Sequence, residues 1–247
     1  MSGHLFAGTS GFAYPRWTPL FYPAGIRAEA FLSYYAGRFP ACELNNTWYQ
    51  TPSRSKITGW LAATPPNFRF SVKGQRGASL RTLLKGPDES LPFLTDPIRQ
   101  FGERLGTVLF RVPKEIPRDD NRLAALLARW PVDLPLTMEF QDASWLVDEV
   151  IDACRASGAA VCATELDENE EPPRLWVTAG WLYLRLRRSR YDRNEIEAWA
   201  NRIVPFLEIG QDVYVFFRHD ATGEATVRAA ALTEAVERRM GVPPGEL

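Results

Sequence analysis

Eight short apolar runs divide this chain, and each stops on a polar or charged residue. The runs 5–10, 42–45, 68–73, 108–111, 136–141, 160–164, 182–187 and 213–218 end at Ser10, Asn45, Lys73, Arg111, Gln141, Thr164, Arg187 and Arg218. Runs of this length bounded by turn residues read as buried strands. Between most of them apolar residues recur at helical spacing, so the pattern predicts strand and helix in alternation from end to end.

Punctuation places the helices. Residues 27–38 put Ala30, Phe31, Tyr34 and Tyr35 on one stripe, closed by Phe39-Pro40. Residues 53–63 open on Ser53 as a cap, and 96–106 open on Asp96-Pro97, where proline's missing N–H costs nothing. Residues 119–129, 146–156, 192–207 and 222–239 complete the set, with Gly158 and Gly210 placed as C-terminal stops. Two stretches carry no helical period and are expected to be irregular: 74–92, rich in Gly, Pro, Ser and charge, and 165–178, with five carboxylates and Pro172-Pro173. The acidic run Glu165, Asp167, Glu168, Glu170 and Glu171 reads as a solvated loop between the sixth and seventh strands, or as a lid over a basic mouth.

Eight strands and about seven helices in 247 residues fit one α/β domain over 1–247, a (β/α)8 TIM-barrel-like fold with an irregular β6–β7 connection. The competitor is a doubly wound open sheet, but Gly8-Thr9-Ser10-Gly11 is not the dinucleotide-binding turn that fold commonly carries.

In a barrel the residues of each strand alternate between the interior and the helix layer. With Leu44, Phe70, Val72, Phe110, Met138, Phe140, Leu184, Leu186, Val215 and Phe217 facing the helices, Glu43, Asn45, Ser71, Lys73, Arg111, Glu139, Gln141, Arg185, Arg187 and Arg218 face inward. Five of these are cations and two are carboxylates. Two like charges about 8 Å apart repel by roughly 2 kcal/mol at an effective dielectric near 20, so an anionic ligand would relieve the excess. Arginine forks suit carboxylate and phosphate oxygens. The alternative is a satisfied interior layer in which Glu43 and Glu139 each pair with an arginine.

Glu43 and Glu139 are the candidate acid and base, and Lys73 is a candidate amine nucleophile, base or phosphate-binding ammonium. Ser10, Tyr14, Trp17, Asn45, Tyr49, Arg111, Gln141, Trp145, Arg185, Arg187, Arg218 and His219 are the candidate ligand-binding residues. Phe12, Phe21, Tyr22 and Trp48 add further aromatic rings to the mouth loops, suited to a planar base or sugar face, or simply to loop packing.

Composition narrows the partners. A net charge of −1 makes any nucleic-acid contact a local patch, for which Arg187, Arg188, Arg190, Arg193 and Arg218 are the candidates. Cys42, Cys154 and Cys162 show no Cys-x-x-Cys spacing, and two histidines are too few for a His-rich zinc site. No metal and no cofactor is expected; a Glu43, Glu139 and Asp142 carboxylate site is the weak exception, opposed by neighbouring cations. Residues 1–11 carry no basic leader before an apolar stretch and no run of 18 apolar residues occurs, so a cytoplasmic protein without a membrane span is expected.

Gly8-Thr9-Ser10-Gly11, Tyr14, Trp17, Phe21-Tyr22-Pro23, Glu43-Leu44-Asn45-Asn46-Thr47-Trp48-Tyr49, the Thr64 to Phe70 segment and Lys73 together resemble the YecE-like family, domain of unknown function 72. The likeness runs on through Glu139-Phe140, Ser144-Trp145 and the 212–217 segment. It implies a TIM-barrel-like fold in a bacterial-type cytoplasmic protein, and no reaction. Four strand ends depart from the family pattern. Gln141-Asp142 replaces Arg-His or Arg-Asn, 75–80 lacks the family's Thr-His, Arg187-Arg188 replaces His-Gly, and Arg218-His219 replaces Asn-Asn. The expectation is a small anionic ligand at the C-terminal mouth, handled by an acid/base enzyme. A nucleic-acid or acidic-partner module, or a member that has lost catalysis, is the alternative.

Overall fold

The computed structural model describes residues 2–167, 171–243 and 245. Parallel strands β1 (Leu5–Ser10), β2 (Ala41–Leu44), β3 (Arg69–Lys73), β4 (Leu105–Val112), β5 (Leu136–Phe140), β6 (Ala160–Glu165), β7 (Trp181–Leu186) and β8 (Asp212–Phe217) close into a barrel in sequence order. β8 returns to β1 in a register running from Leu5↔Val213 to Thr9↔Phe217. Closure excludes the open doubly wound sheet. Around the barrel lie α1 (Phe31–Ala36), α2 (Arg54–Ala62), α3 (Arg76–Lys85), α4 (Pro87–Thr95), α5 (Asp120–Arg129), α6 (Asp148–Ser157), α7 (Arg193–Glu208) and α8 (Glu224–Met240).

Strand parity follows the expected alternation. Leu44, Phe70, Val72, Phe110, Met138, Leu184, Leu186, Val215 and Phe217 are buried in the layer between strands and helices. A smaller interior cluster of Phe6, Ala41, Leu109, Cys162, Tyr183, Tyr214 and Phe216 fills the barrel below the polar residues. Cys42, Cys154 and Cys162 are free and buried, behaving as small apolar side chains.

Four expectations need correction. The 74–92 stretch is not irregular: it forms α3 and α4. Gln75 caps α3 by accepting the Ala78 N–H at 2.7 Å, Pro87 opens α4, and Ala78, Thr82, Leu83, Leu91 and Leu94 are buried. The 96–106 segment forms two 3₁₀ turns within Ile98–Arg104, separated by a kink at Gly102 (φ 53°, ψ −135°), and β4 starts at Leu105 rather than 108. Within 27–38 only Phe31–Ala36 is α-helical, after a 3₁₀ turn at Ala28–Ala30. Glu165 is no part of a solvated loop: it ends β6, is 4% exposed and accepts the Trp199 indole N–H at 3.0 Å. The described part of 166–180 carries neither helix nor strand, while Glu168 and Glu170 lie outside the described residues. Among the described residues no helix is long and apolar enough to cross a membrane.

Candidate functional site

Register gathers the inward polar residues at the C-terminal rim. Ser10 lies opposite Glu43, Glu43 opposite Ser71, Arg111 opposite Glu139, and Thr164 opposite Arg185. A charged layer of Glu43, Lys73, Arg111, Glu139 and Arg185 thus sits directly above the apolar interior, and Tyr183 joins the two. Its hydroxyl donates to Glu43 Oε2 at 2.8 Å and shares a 2.7 Å hydrogen bond with Ser71.

One arginine holds both carboxylates. Arg185, 1% exposed, donates from Nε and Nη2 to the two oxygens of Glu43 at 2.9 and 2.8 Å, and from Nη1 to Glu139 Oε1 at 2.5 Å. This is the fork geometry that makes Arg the strong carboxylate partner. Ser10 Oγ completes the shell of Glu43 at 2.8 Å. Burial alone would push the Glu43 carboxyl up. Arg185 and Lys73 outweigh it and hold the group far below the usual carboxylate range. Glu139 is also held low, burial being overcome by Arg185, Arg111 and Lys73. Its Oε2 differs from the other carboxylate oxygens of the layer. It accepts no hydrogen bond among the described residues, although Arg111 Nε stands 3.3 Å away.

Lys73 is the other singular group. Its Nζ donates to Asn45 Oδ1 at 3.0 Å and lies 3.9 Å from Glu43 Oε1, with 6% of the residue exposed. Burial lowers its pKa, Glu43 opposes the shift, and Arg185 reinforces it, leaving the amine at about 8. Above it lies Trp48, whose ring is 5.9 Å from Lys73 Nζ and 5.5 Å from the Arg111 guanidinium carbon. Thr47 places that ring: its hydroxyl lies 2.7 Å from the carbonyls of both Leu44 and Lys73, pinning the turn after β2 to the end of β3.

Stability should carry the signature of this amine. Between pH 8 and the unfolded value of about 10.4 the unfolded chain binds more protons at this lysine than the folded one, so its contribution to stability increases with pH. Relative to Lys73→Met, the wild type should gain roughly 2–3 kcal/mol across that window, measured by urea unfolding at each pH. Parallel curves would show that Glu43, Glu139, Arg111 and Arg185 leave the amine unshifted.

Around this layer the mouth is closed on one side by an aromatic stack. Tyr14 lies on His219 at 4.8 Å and 9°, and its hydroxyl donates to Ser10 O at 3.1 Å. Burial pushes the Tyr14 phenol up to about 12, so it remains a donor. His219 is held below its ordinary value by burial, then Arg187 and Arg218, which keeps the ring neutral at pH 7. Outside this stack is a hollow of about 530 Å3 bordered by Arg16 and Arg218.

Not every sequence candidate reaches the mouth. Lys73, Asn45, Arg111, Arg187, Tyr14 and His219 come together there, with Arg218 exposed at the edge. Trp17 and Trp145 are fully buried, their indole N–H groups committed to Asp220 O at 3.1 Å and Ile116 O at 3.0 Å, so they tie loops together and are closed off from solvent. Ser10 and Arg185 lie beneath the surface of the site as partners of Glu43. Tyr49 is 80% exposed and Gln141 is exposed, its backbone N–H bonded to Val112 O. The mouth aromatic is instead Trp48, next to Tyr49 in the chain; a 3₁₀ turn over Asn46–Trp48 decides which ring points in, and nothing in the sequence registers that turn. Asp142 caps Ser144 N–H at 2.9 Å, and among the described residues no three His, Cys, Asp or Glu side chains are grouped to hold a metal ion.

The family model described as protein of unknown function DUF72 matches residues 6–246. The UPF0759 protein YunF of Bacillus subtilis is 23% identical over 266 residues, covering 92% of this chain and 94% of that one. A crystal structure of a DUF72 family protein from Thermotoga maritima superposes with a TM-score of 0.82 at 25% identity, over 96% of this chain and 99% of that one. A second, from Enterococcus faecalis, gives 0.75 at 17% identity, over 98% and 99%. The latter speaks for the fold alone.

Proposed function

This chain belongs to the DUF72 family, described as proteins of unknown function, and from the geometry of the barrel mouth we propose that it binds a small anionic molecule there, phosphorylated or carboxylated. The carrying observation is Arg187. Its side chain is largely withdrawn from solvent, makes no hydrogen bond or ion pair among the described residues, and has its charge disfavoured first by burial and then by Arg185. Together with Lys73, Arg111 and Arg185 it sets four cations against Glu43 and Glu139. An anion between Arg187 and Arg111 would offset that excess with charge-assisted hydrogen bonds.

On this reading the two carboxylates do different work. Glu43 has both oxygens saturated by donors and serves to anchor the charged layer. Proton transfer to a bound ligand falls to Lys73 and to Glu139, whose Oε2 is ion-paired with Arg111 but accepts no hydrogen bond among the described residues. The nucleic-acid alternative loses support because Arg188, one of its surface cations, is paired with Glu195 at 2.7 Å.

Phosphate, sulfate, glycerol 3-phosphate and dicarboxylates, tested by thermal shift, provide the check. A ligand at about 100 times its Kd stabilises by roughly 2.7 kcal/mol. Arg187→Ala should weaken that ligand about 10- to 100-fold, the worth of a hydrogen bond between charged groups. The proposal fails if no small anion shifts the transition, or if Arg187→Ala leaves the affinity unchanged.

A further inference from the structure

Lysine is rare in this chain. Of 29 basic residues only Lys56, Lys73, Lys85 and Lys114 are lysines, which leaves 25 arginines. Lys56, Lys85 and Lys114 are exposed, while Lys73 is buried in the charged layer. A cation needed there only to pair with Glu43 could be arginine, as it is at 185. Arginine has one property that would disqualify it, because it never gives up its proton in a protein, whereas a buried lysine does.

The surroundings of Lys73 suit an amine that must be neutral part of the time. Nζ is held by a neutral acceptor, Asn45 Oδ1, at 3.0 Å, and its nearest carboxylate oxygen is 3.9 Å away and already bonded to Arg185 and Ser10. The charges facing it are Glu43 from β2, Arg111 from β4, Glu139 from β5 and Arg185 from β7, with Trp48 covering the amine and Arg111 alike. Among the described residues the one carboxylate oxygen of this layer without a hydrogen bond, Glu139 Oε2, is buried and ion-paired with Arg111 Nε at 3.3 Å. Tyr14, next to Asn45 at the rim, stays protonated, its hydroxyl donating to Ser10 O.

Building on the small-anion reading, we propose that Lys73 is a covalent amine, forming an imine with a small aldehyde or ketone whose anionic group rests on Arg111 and Arg187. Lys73 Nζ first releases a proton to solvent. The neutral Nζ attacks the carbonyl carbon, the C–N bond forms as the carbonyl π pair moves to oxygen, and a proton passes from nitrogen to that oxygen. The carbinolamine C–O bond then breaks, and the hydroxyl leaves as water with a proton taken up from solvent. The balance is one ammonium and one carbonyl giving one protonated imine and one water, with no external oxidant or reductant. Such an imine is an electron sink for chemistry at the adjacent carbon.

Borohydride trapping tests this on the wild-type protein. The probes are dihydroxyacetone phosphate and pyruvate, with dihydroxyacetone as the uncharged control, each followed by proteolysis and mass spectrometry of the four lysine peptides. The expected result is a reduced adduct on Lys73, at least tenfold above Lys56, Lys85 and Lys114, with one of the anionic probes. It should be tenfold weaker with dihydroxyacetone and absent in Lys73→Arg. Which anionic probe reacts distinguishes a phosphate from a carboxylate substrate. If no probe labels Lys73 above the exposed lysines while glycerol 3-phosphate or a dicarboxylate still shifts the melting transition, the imine is overturned and the anion site stands. If neither labelling nor any shift occurs, both are overturned.

Discussion

Arg185→Met is expected to cost about 3–5 kcal/mol of folding stability, the penalty for leaving a buried charge without its partner. Arg185 is the sole arginine hydrogen-bonded to Glu43 and Glu139 among the described residues, and the three side chains are 1%, 0% and 2% exposed. Removing it leaves two carboxylates in the barrel with only Lys73, Arg111 and the more distant Arg187 to oppose them. The pH dependence should reverse as well. In the wild type both carboxyls are held below their unfolded values, so their contribution is fully present above about pH 4.3 and is lost as pH falls through the folded values. In Arg185→Met burial dominates, the carboxyls rise, and the variant regains stability as they protonate. Urea unfolding from pH 3 to 7 reads both effects. Glu43→Gln combined with Arg185→Met should be less destabilised than the sum of the single changes by more than about 1 kcal/mol, as coupled residues are. Additive costs, or a loss below about 1 kcal/mol for Arg185→Met, would mean that the layer does not depend on this arginine.

Tyr35→Phe is the second large effect, about 2–4 kcal/mol, and it arises in the backbone ladder below the site. β1 and β2 are parallel, and Gly11 N–H bonds Glu43 O directly at 2.7 Å. Two residues earlier the corresponding link is interrupted. The Thr9 N–H donates to the Tyr35 hydroxyl at 2.8 Å, and that hydroxyl donates to Ala41 O at 3.1 Å. Phenylalanine keeps the ring but orphans a buried donor and a buried acceptor, each worth about 1–3 kcal/mol. The same wedge explains Gly8. A Cβ there would lie 2.2 Å from Ala41 O and 2.8 Å from the Tyr35 oxygen, so no larger residue fits beside the inserted hydroxyl. Equilibrium unfolding gives the cost, and amide exchange at Thr9 should accelerate. A change below about 0.5 kcal/mol would show that the strands close the gap themselves.

Strand content and facing were legible because they depend on neighbours in the chain. A period of two assigns Glu43, Lys73, Arg111, Glu139 and Arg185 to one face wherever the intervening residues are apolar, and all five lie inside the barrel. Helices were less legible where local propensity is poor. Gly77, Ser79, Thr82 and Pro92 hide α3 and α4, which are held by end caps and by burying Leu83, Leu91 and Leu94. The missed signals were Gln75 as a cap and Pro87 at a first helical position.

The sequence by itself determined the eight-strand alternation, the inward polar rim and its surplus of cations, since each follows from composition and short-range period, while closure of the barrel was settled by the pairing of β8 with β1. Tertiary structure alone decided the partners. That Arg185 rather than Arg111 spans both carboxylates, that Trp48 rather than Tyr49 covers Lys73, that Trp17 and Trp145 hold loops, and that Arg187 is left unpaired among the described residues all depend on distances between residues remote in the chain. Barrel closure sets those distances, and no local pattern encodes them.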